Sequence, residues 1–156
     1  MVPAAAIAGA LLAGGCGGGG DDDSPDTGES TTTPETLTKE DYIARGDDIC
    51  AQGTFEIGQR GQERFSPGQQ PSAGQIEAFG QEVVAPTLED QVKELRALPP
   101  PQGDAKTVGE IYDAVQRGID ELKADPALFS APRVGGAFDQ ANQLAQAYGF
   151  KQCGQD

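Results

Sequence analysis

Three cysteines and no histidine set the chemistry open to this chain. Without imidazole there is no Ser–His or Cys–His nucleophile pair, no histidine metal ligand and no ordinary general base near neutral pH. No serine sits in a Gly-x-Ser-x-Gly elbow. Gly103-Asp104-Ala105-Lys106-Thr107 echoes the end of a phosphate loop, but it lacks the glycine before lysine and follows no strand pattern. The adjacent acids Asp47-Asp48, Glu89-Asp90 and Asp120-Glu121 could serve as acid–base pairs. Sequence neighbours point about 100° apart on a helix, so they do not converge on one reacting atom. Glu89 with Lys93, and Asp113 with Arg117, sit four apart as surface ion pairs on a solvated face would. Tyr42, Tyr112 and Tyr148 each offer an apolar ring with a polar tip, which suits a binding pocket or the rim of a core equally well. The expectation is a non-enzymatic chain with no catalytic residues, no metal and no cofactor.

The cysteines carry the strongest signal. Residues 2–13 are almost all small or apolar, too few for the roughly 20 a membrane-spanning helix needs but enough for the apolar part of an export signal. Leu11-Leu12-Ala13-Gly14-Gly15-Cys16 then places small residues directly before a cysteine. This pattern looks like a bacterial lipoprotein signal, with Cys16 as the lipid-attachment residue of a mature chain that starts there. Two features depart from it. Ala13 stands where a branched residue is usual, and no Lys or Arg precedes the apolar run, as if the true start lay upstream. The rival is an ordinary secretory signal cleaved near Ala8-Gly9-Ala10, leaving Cys16 a free thiol. Setting Cys16 aside for lipid leaves two cysteines, and an even number in an exported domain points to a Cys50–Cys153 disulfide. The alternative is two buried thiols, since Cys50 lies on an apolar face.

The chain divides into three parts: residues 1–15 as signal, 16–36 as tether and 37–156 as a folded domain. Between Gly17 and Thr36 there is no aromatic residue, Ile, Leu, Val or Met. Such a stretch buries too little apolar surface to offset its ordering entropy, so a disordered tether reaching about 25 Å is expected. Asp21-Asp22-Asp23 reads as solvated spacer rather than a metal site. All nine aromatic residues and all eleven bases fall in residues 37–156, where nineteen acids give a net charge of −8. An acidic domain is a poor partner for nucleic acid, whose binding needs cationic patches.

The elements that must position these residues are helical. Thr38 is a natural N-cap with Asp41 at N3, and Leu37 and Tyr42 are spaced for a hydrophobic staple. The first helix carries Tyr42, Ile43, Gly46, Ile49, Cys50, Gly53 and Ile57 at three- and four-residue steps. Gly53, Gly58 and Gly61 should either fray its second half or permit a close crossing. Ser72 and Gln75 form a capping box for a second helix, in which Pro86 predicts a kink or short break. Asp104 is placed to cap a third, whose stripe runs through Val108, Ile111, Tyr112, Val115, Ile119 and Leu122. A fourth is expected from near Gly136 to Tyr148, with Gly149 as its C′ residue. The fold predicted is all-α, an antiparallel four-helix bundle.

Three segments carry a resemblance: Leu37-Thr38-Lys39-Glu40-Asp41-Tyr42-Ile43 with Asp48-Ile49-Cys50-Ala51, then Ala124-Asp125-Pro126, then Ala147-Tyr148-Gly149-Phe150-Lys151-Gln152-Cys153-Gly154. Together they resemble a group of small exported actinobacterial lipoprotein-like proteins. The resemblance implies the fold and an envelope address, and carries over no site residues beyond the two cysteines. The function expected is a lipid-anchored protein on the extracytoplasmic face of the cell membrane, binding or organising other envelope components. A small-molecule-capturing lipoprotein with a pocket near Pro86 is the alternative, and a carboxylate-dependent hydrolase a third.

Overall fold

The computed structural model describes residues 36–68, 70–131 and 134–155. The signal, Cys16 and the tether lie outside them. Among the described residues every regular element is helical and there is no strand. Helix α1 spans Lys39–Arg64, α2 Ala73–Phe79, α3 Ala85–Ala97, α4 Ala105–Ala124 and α5 Asp139–Tyr148. Two 3₁₀ turns, Pro126–Ser130 and Val134–Phe138, link α4 to α5. No described helix is long and apolar enough to cross a membrane.

The helix ends follow local chemistry. Thr38 Oγ1 accepts the Asp41 amide at 3.1 Å. At α2 the capping box is complete: Ser72 accepts the Gln75 amide, and the Gln75 carbonyl accepts the Ser72 amide at 2.9 Å. Asp125 Oδ1 accepts the Ala127 amide at 3.2 Å, which turns the chain after α4. At the end of α5, Gly149 takes φ 120°, and the Phe150 amide bonds back to the Ala145 carbonyl at 3.0 Å. That six-to-one bond is the Schellman closure, available because glycine has no Cβ to clash at positive φ. Asp104 occupies the N-cap position of α4 but makes no side-chain cap bond; its carboxylate is engaged elsewhere. The fourth helix begins at Asp139, three residues later than the periodicity predicts, because Val134–Phe138 forms a 3₁₀ lead-in.

Pro86 does not break its helix. It has no amide to donate, and its ring crowds the carbonyl four residues earlier. The chain accommodates this by widening at Gly80–Val84 into a π turn, where the Ala85 amide reaches the Gly80 carbonyl. Helix α2, the π turn and α3 therefore form one continuous run from Ala73 to Ala97.

Helix α3 is the hub, packing on α1 and on α4, while α4 carries α5 and α2 rests on the Pro126–Ser130 turn. The core comprises the predicted faces: Tyr42 from α1, Val92 and Leu95 from α3, Val108, Ile111, Ile119 and Leu122 from α4, Ala145 and Tyr148 from α5. Polar pairs tie neighbours at both ends. Glu89 meets Lys123 at 2.7 Å and Arg96 meets Asp113 at 2.7 Å. These bridges run between α3 and α4, where the sequence spacing had suggested pairs along single helices. Two helices packed side by side bring such charges together without bending either side chain along its own turn.

Candidate functional site

Helix α1 and the chain end meet along one face of α1. Cys50 lies four residues from Gly46 and three from Asp47, so each of them borders the face that carries Cys50. Cys50 is bridged to Cys153, with an S–S distance of 1.98 Å and Cα atoms 5.3 Å apart across 103 residues of sequence. The Asp47 carboxylate accepts three consecutive tail amides: Lys151 at 3.0 Å, Gln152 at 2.8 Å and Cys153 at 3.1 Å. Charge-assisted bonds of this kind are roughly twice as strong as neutral ones. At Gly46 an added Cβ would come within 2.6 Å of the Phe150 ring, so only glycine admits that ring against the α1 backbone. The two ends of the sequence that carry the resemblance are thus one structural unit, a clasp. Asp47 is structural here, and its neighbour Asp48 is exposed, so the pair does not form an acid–base site.

The three tyrosines converge under the clasp. Tyr42 and Tyr112 share a hydrogen bond between their hydroxyls, 2.6 Å apart. Tyr148 donates to Asp104 Oδ2 at 2.7 Å. The Tyr42 and Tyr148 rings meet edge to face with centroids 6.3 Å apart, and Phe150 packs on both. Lys39 Nζ stands 4.1 Å above the Tyr148 ring. Burial pushes all three phenols above their ordinary value, since a phenolate would be poorly solvated there. For Tyr148 the Asp104 carboxylate adds to the rise, while for Tyr112 the Arg96 guanidinium opposes it. These groups are proton-holding at any physiological pH and are poor bases or nucleophiles. Tyr42 and Tyr148 belong to the core; Tyr112 also forms part of a cavity wall.

That cavity is the largest feature sequence reasoning missed. It measures about 350 Å³ and lies between α3, α4, α5 and the clasp. Leu88, Val92 and Leu95 of α3 face Ile111 and Val115 of α4, with Phe138, Ala141 and Ala145 beside them. Its remaining wall is the clasp itself: Cys50, Phe150, Gln152, Cys153, Gly154 and Gln155. Thr54, Gln91 and Asn142 add polar groups. Among the described residues no Asp, Glu, Lys or Arg lines it. The stripes of α3 and α4 signalled these apolar side chains, but nothing local signalled that some of them face a space.

A recess does form beside Pro86, where the sequence suggested a pocket, but its character differs. It measures about 190 Å³ and is lined by Glu56, Arg60, Glu82, Asp90 and Glu94 as well as Pro86. Gln91 borders both spaces. Its Nε2 bonds the carbonyls of Ile49 and Cys50 at 3.2 and 3.1 Å, over Gly53, where a Cβ would collide with it. Of the glycines in α1, Gly53 therefore marks a close crossing and Gly58 faces open space, and α1 stays helical to Arg64. Among the described residues no cluster of three or more His, Cys, Asp or Glu could hold a metal ion.

Comparison of the chain with protein-family models, with curated proteins and with solved structures gave no match.

Proposed function

We propose that this chain is an extracytoplasmic lipoprotein, held at the outer side of the cytoplasmic membrane by acyl chains on Cys16. A Gly-, Asp- and Thr-rich spacer then carries a non-enzymatic binding domain, folded as an antiparallel four-helix bundle. The observation that carries this reading is the Cys50–Cys153 bridge. Disulfides persist in oxidising compartments and are rare in the cytosol, so the bridge agrees with the export signal read from residues 2–16. The bundle is supported by residue pairs that rise along one helix and fall along the next: Glu89 with Lys123 and Arg96 with Asp113, then Asp104 with Tyr148 and Arg117 with Gln140. The resemblance to exported actinobacterial lipoprotein-like proteins points the same way, and the clasp gives its terminal segments a common purpose.

Binding, rather than catalysis, is supported by what the polar groups already do. Asp47 holds the tail, Asp104 holds Tyr148, and Glu89 holds Lys123. Small-molecule capture gains a specific observation over a purely organising role, because the apolar cavity of about 350 Å³ lies within the usual range for ligand sites, about 300–1,000 Å³.

Intact mass of the protein from native membranes, before and after reduction and alkylation, tests the reading. The expected result is a chain beginning at Cys16 with a diacylglycerol-sized addition, whose other two cysteines alkylate only after reduction. An unmodified chain that keeps residues before Cys16 and alkylates freely would overturn it.

A further inference from the structure

We infer that the cavity behind the clasp binds a neutral amphiphile of small-molecule size, an apolar body with a hydroxyl, ester or amide head. The inference rests on the binding role proposed above and names its ligand class.

The cavity's chemistry sets that class by what it contains and by what it lacks. Its body is hydrocarbon, from Leu88, Val92, Leu95, Ile111, Val115 and Phe138. An apolar ligand surface buried there leaves water favourably. Its polar residues are uncharged: Thr54, Gln91, Tyr112, Asn142, Gln152 and Gln155. The Nε2 donors of Gln91 and Gln155 already serve backbone carbonyls, so Thr54 and Gln152 are the groups that would hydrogen-bond a hydroxyl, ester or amide head. An ionised head is a poor fit. No Lys or Arg among the described residues lines the cavity to pair an anion, and no Asp or Glu lines it to pair a cation. Burying an unpaired ion is costly, and the acidic domain repels anions besides. The contrast within the same molecule is informative. The recess beside Pro86 gathers four carboxylates and a guanidinium, while the larger cavity, a helix away in an acidic domain, gathers none.

The wall is also built. The stretch of tail within it is held beside the cavity by the disulfide, by the hydrogen bonds that the Lys151, Gln152 and Cys153 amides donate to Asp47, and by the bond from Gln146 Nε2 to the Gly154 carbonyl. A wall pinned in this way is formed before its ligand arrives, which lowers the ordering cost of binding.

The test is fluorescence titration of the oxidised full chain with N-phenyl-1-naphthylamine, a neutral apolar probe, followed by competition. One saturable site is expected, displaced by 1-decanol at least about tenfold more effectively than by ionised decanoate. Val115→Trp fills the cavity from α4, and Thr54→Trp fills it from an exposed position on α1 where folding tolerates the change. Each should weaken probe binding at least about tenfold while the circular dichroism melt stays native. If Val115→Trp misfolds, Thr54→Trp decides. Absence of saturable binding, equal displacement by decanoate, or unchanged binding in a folded Trp variant would each overturn the inference. The mass measurement separates the two readings. A lipidated, bridged chain that ignores the probe loses the ligand and keeps the anchor; an unlipidated chain that binds it does the reverse.

Discussion

Tyr42 is only 1% exposed, yet its hydroxyl is satisfied, because Tyr112 supplies the partner from another helix. A buried hydroxyl without one would cost about 1–3 kcal/mol. The same burial makes the tyrosine cluster sensitive to alkali. Each phenol has a folded pKa above its ordinary value of 10.0. Below about pH 10 both folded and unfolded chains hold these protons, and the cluster's contribution is fully present. Above it the unfolded chain ionises first, so stability falls as pH rises, by about 1.4 kcal/mol per pH unit for each proton that only the folded state retains. Tyr112→Phe should therefore lower stability by about 1 kcal/mol near neutral pH and flatten the alkaline decline. Urea midpoints measured from about pH 8 to about pH 11.5 check this; a slope unchanged by the substitution would mean the phenol is solvated. The sequence identified the three tyrosines as amphipathic, but their pairing was not legible, because the partners lie 70 and 44 residues away.

At the scale of elements, the close approach of the Pro126–Ser130 turn to the π turn depends on a glycine. Gly80 lies under the Phe129 ring, where a Cβ would collide with ring carbons. Gly58 sits in mid-helix with nothing within 4 Å of a built Cβ. The two should respond oppositely to alanine. Gly58→Ala reduces the freedom of the unfolded chain and should stabilise by up to about 1 kcal/mol. Gly80→Ala must displace a buried ring and should destabilise by about 1–3 kcal/mol. Paired chemical melts distinguish them, and equal effects would show that the Phe129 contact yields freely. Composition marks both glycines as weak helix formers, and only the Phe129 ring of the Pro126–Ser130 turn separates the useful one from the costly one. The caps at Thr38, Ser72 and Gly149 were legible, since each bond spans five residues or fewer. Asp104 was not, because a tyrosine hydroxyl from α5 competes for the carboxylate.

For the molecule as a whole, the Cys50–Cys153 bridge closes nearly the full length of the domain. In the chain-entropy picture, closing a loop of about 100 residues stabilises by up to about 4.7 kcal/mol. Cys153→Ser should lower the melting temperature in oxidising buffer and match the wild type when both are reduced. Equal melts in oxidising buffer would show that the Asp47 bonds and Phe150 alone hold the chain end.

The sequence by itself determined the helical class, most helix ends, the buried stripes and the pairing of two cysteines. The first three follow from spacing, because side chains three or four residues apart share a face and caps act within a turn; the pairing follows from cysteine count and an export signal. Tertiary structure decided where Asp47 spends its lone pairs, how Pro86 is absorbed by a π turn, and where a cavity opens. A cavity is a mismatch between surfaces contributed by α3, α4, α5 and the clasped tail. No one segment encodes that mismatch; it arises only when the helices are packed and the last residues are pinned across them.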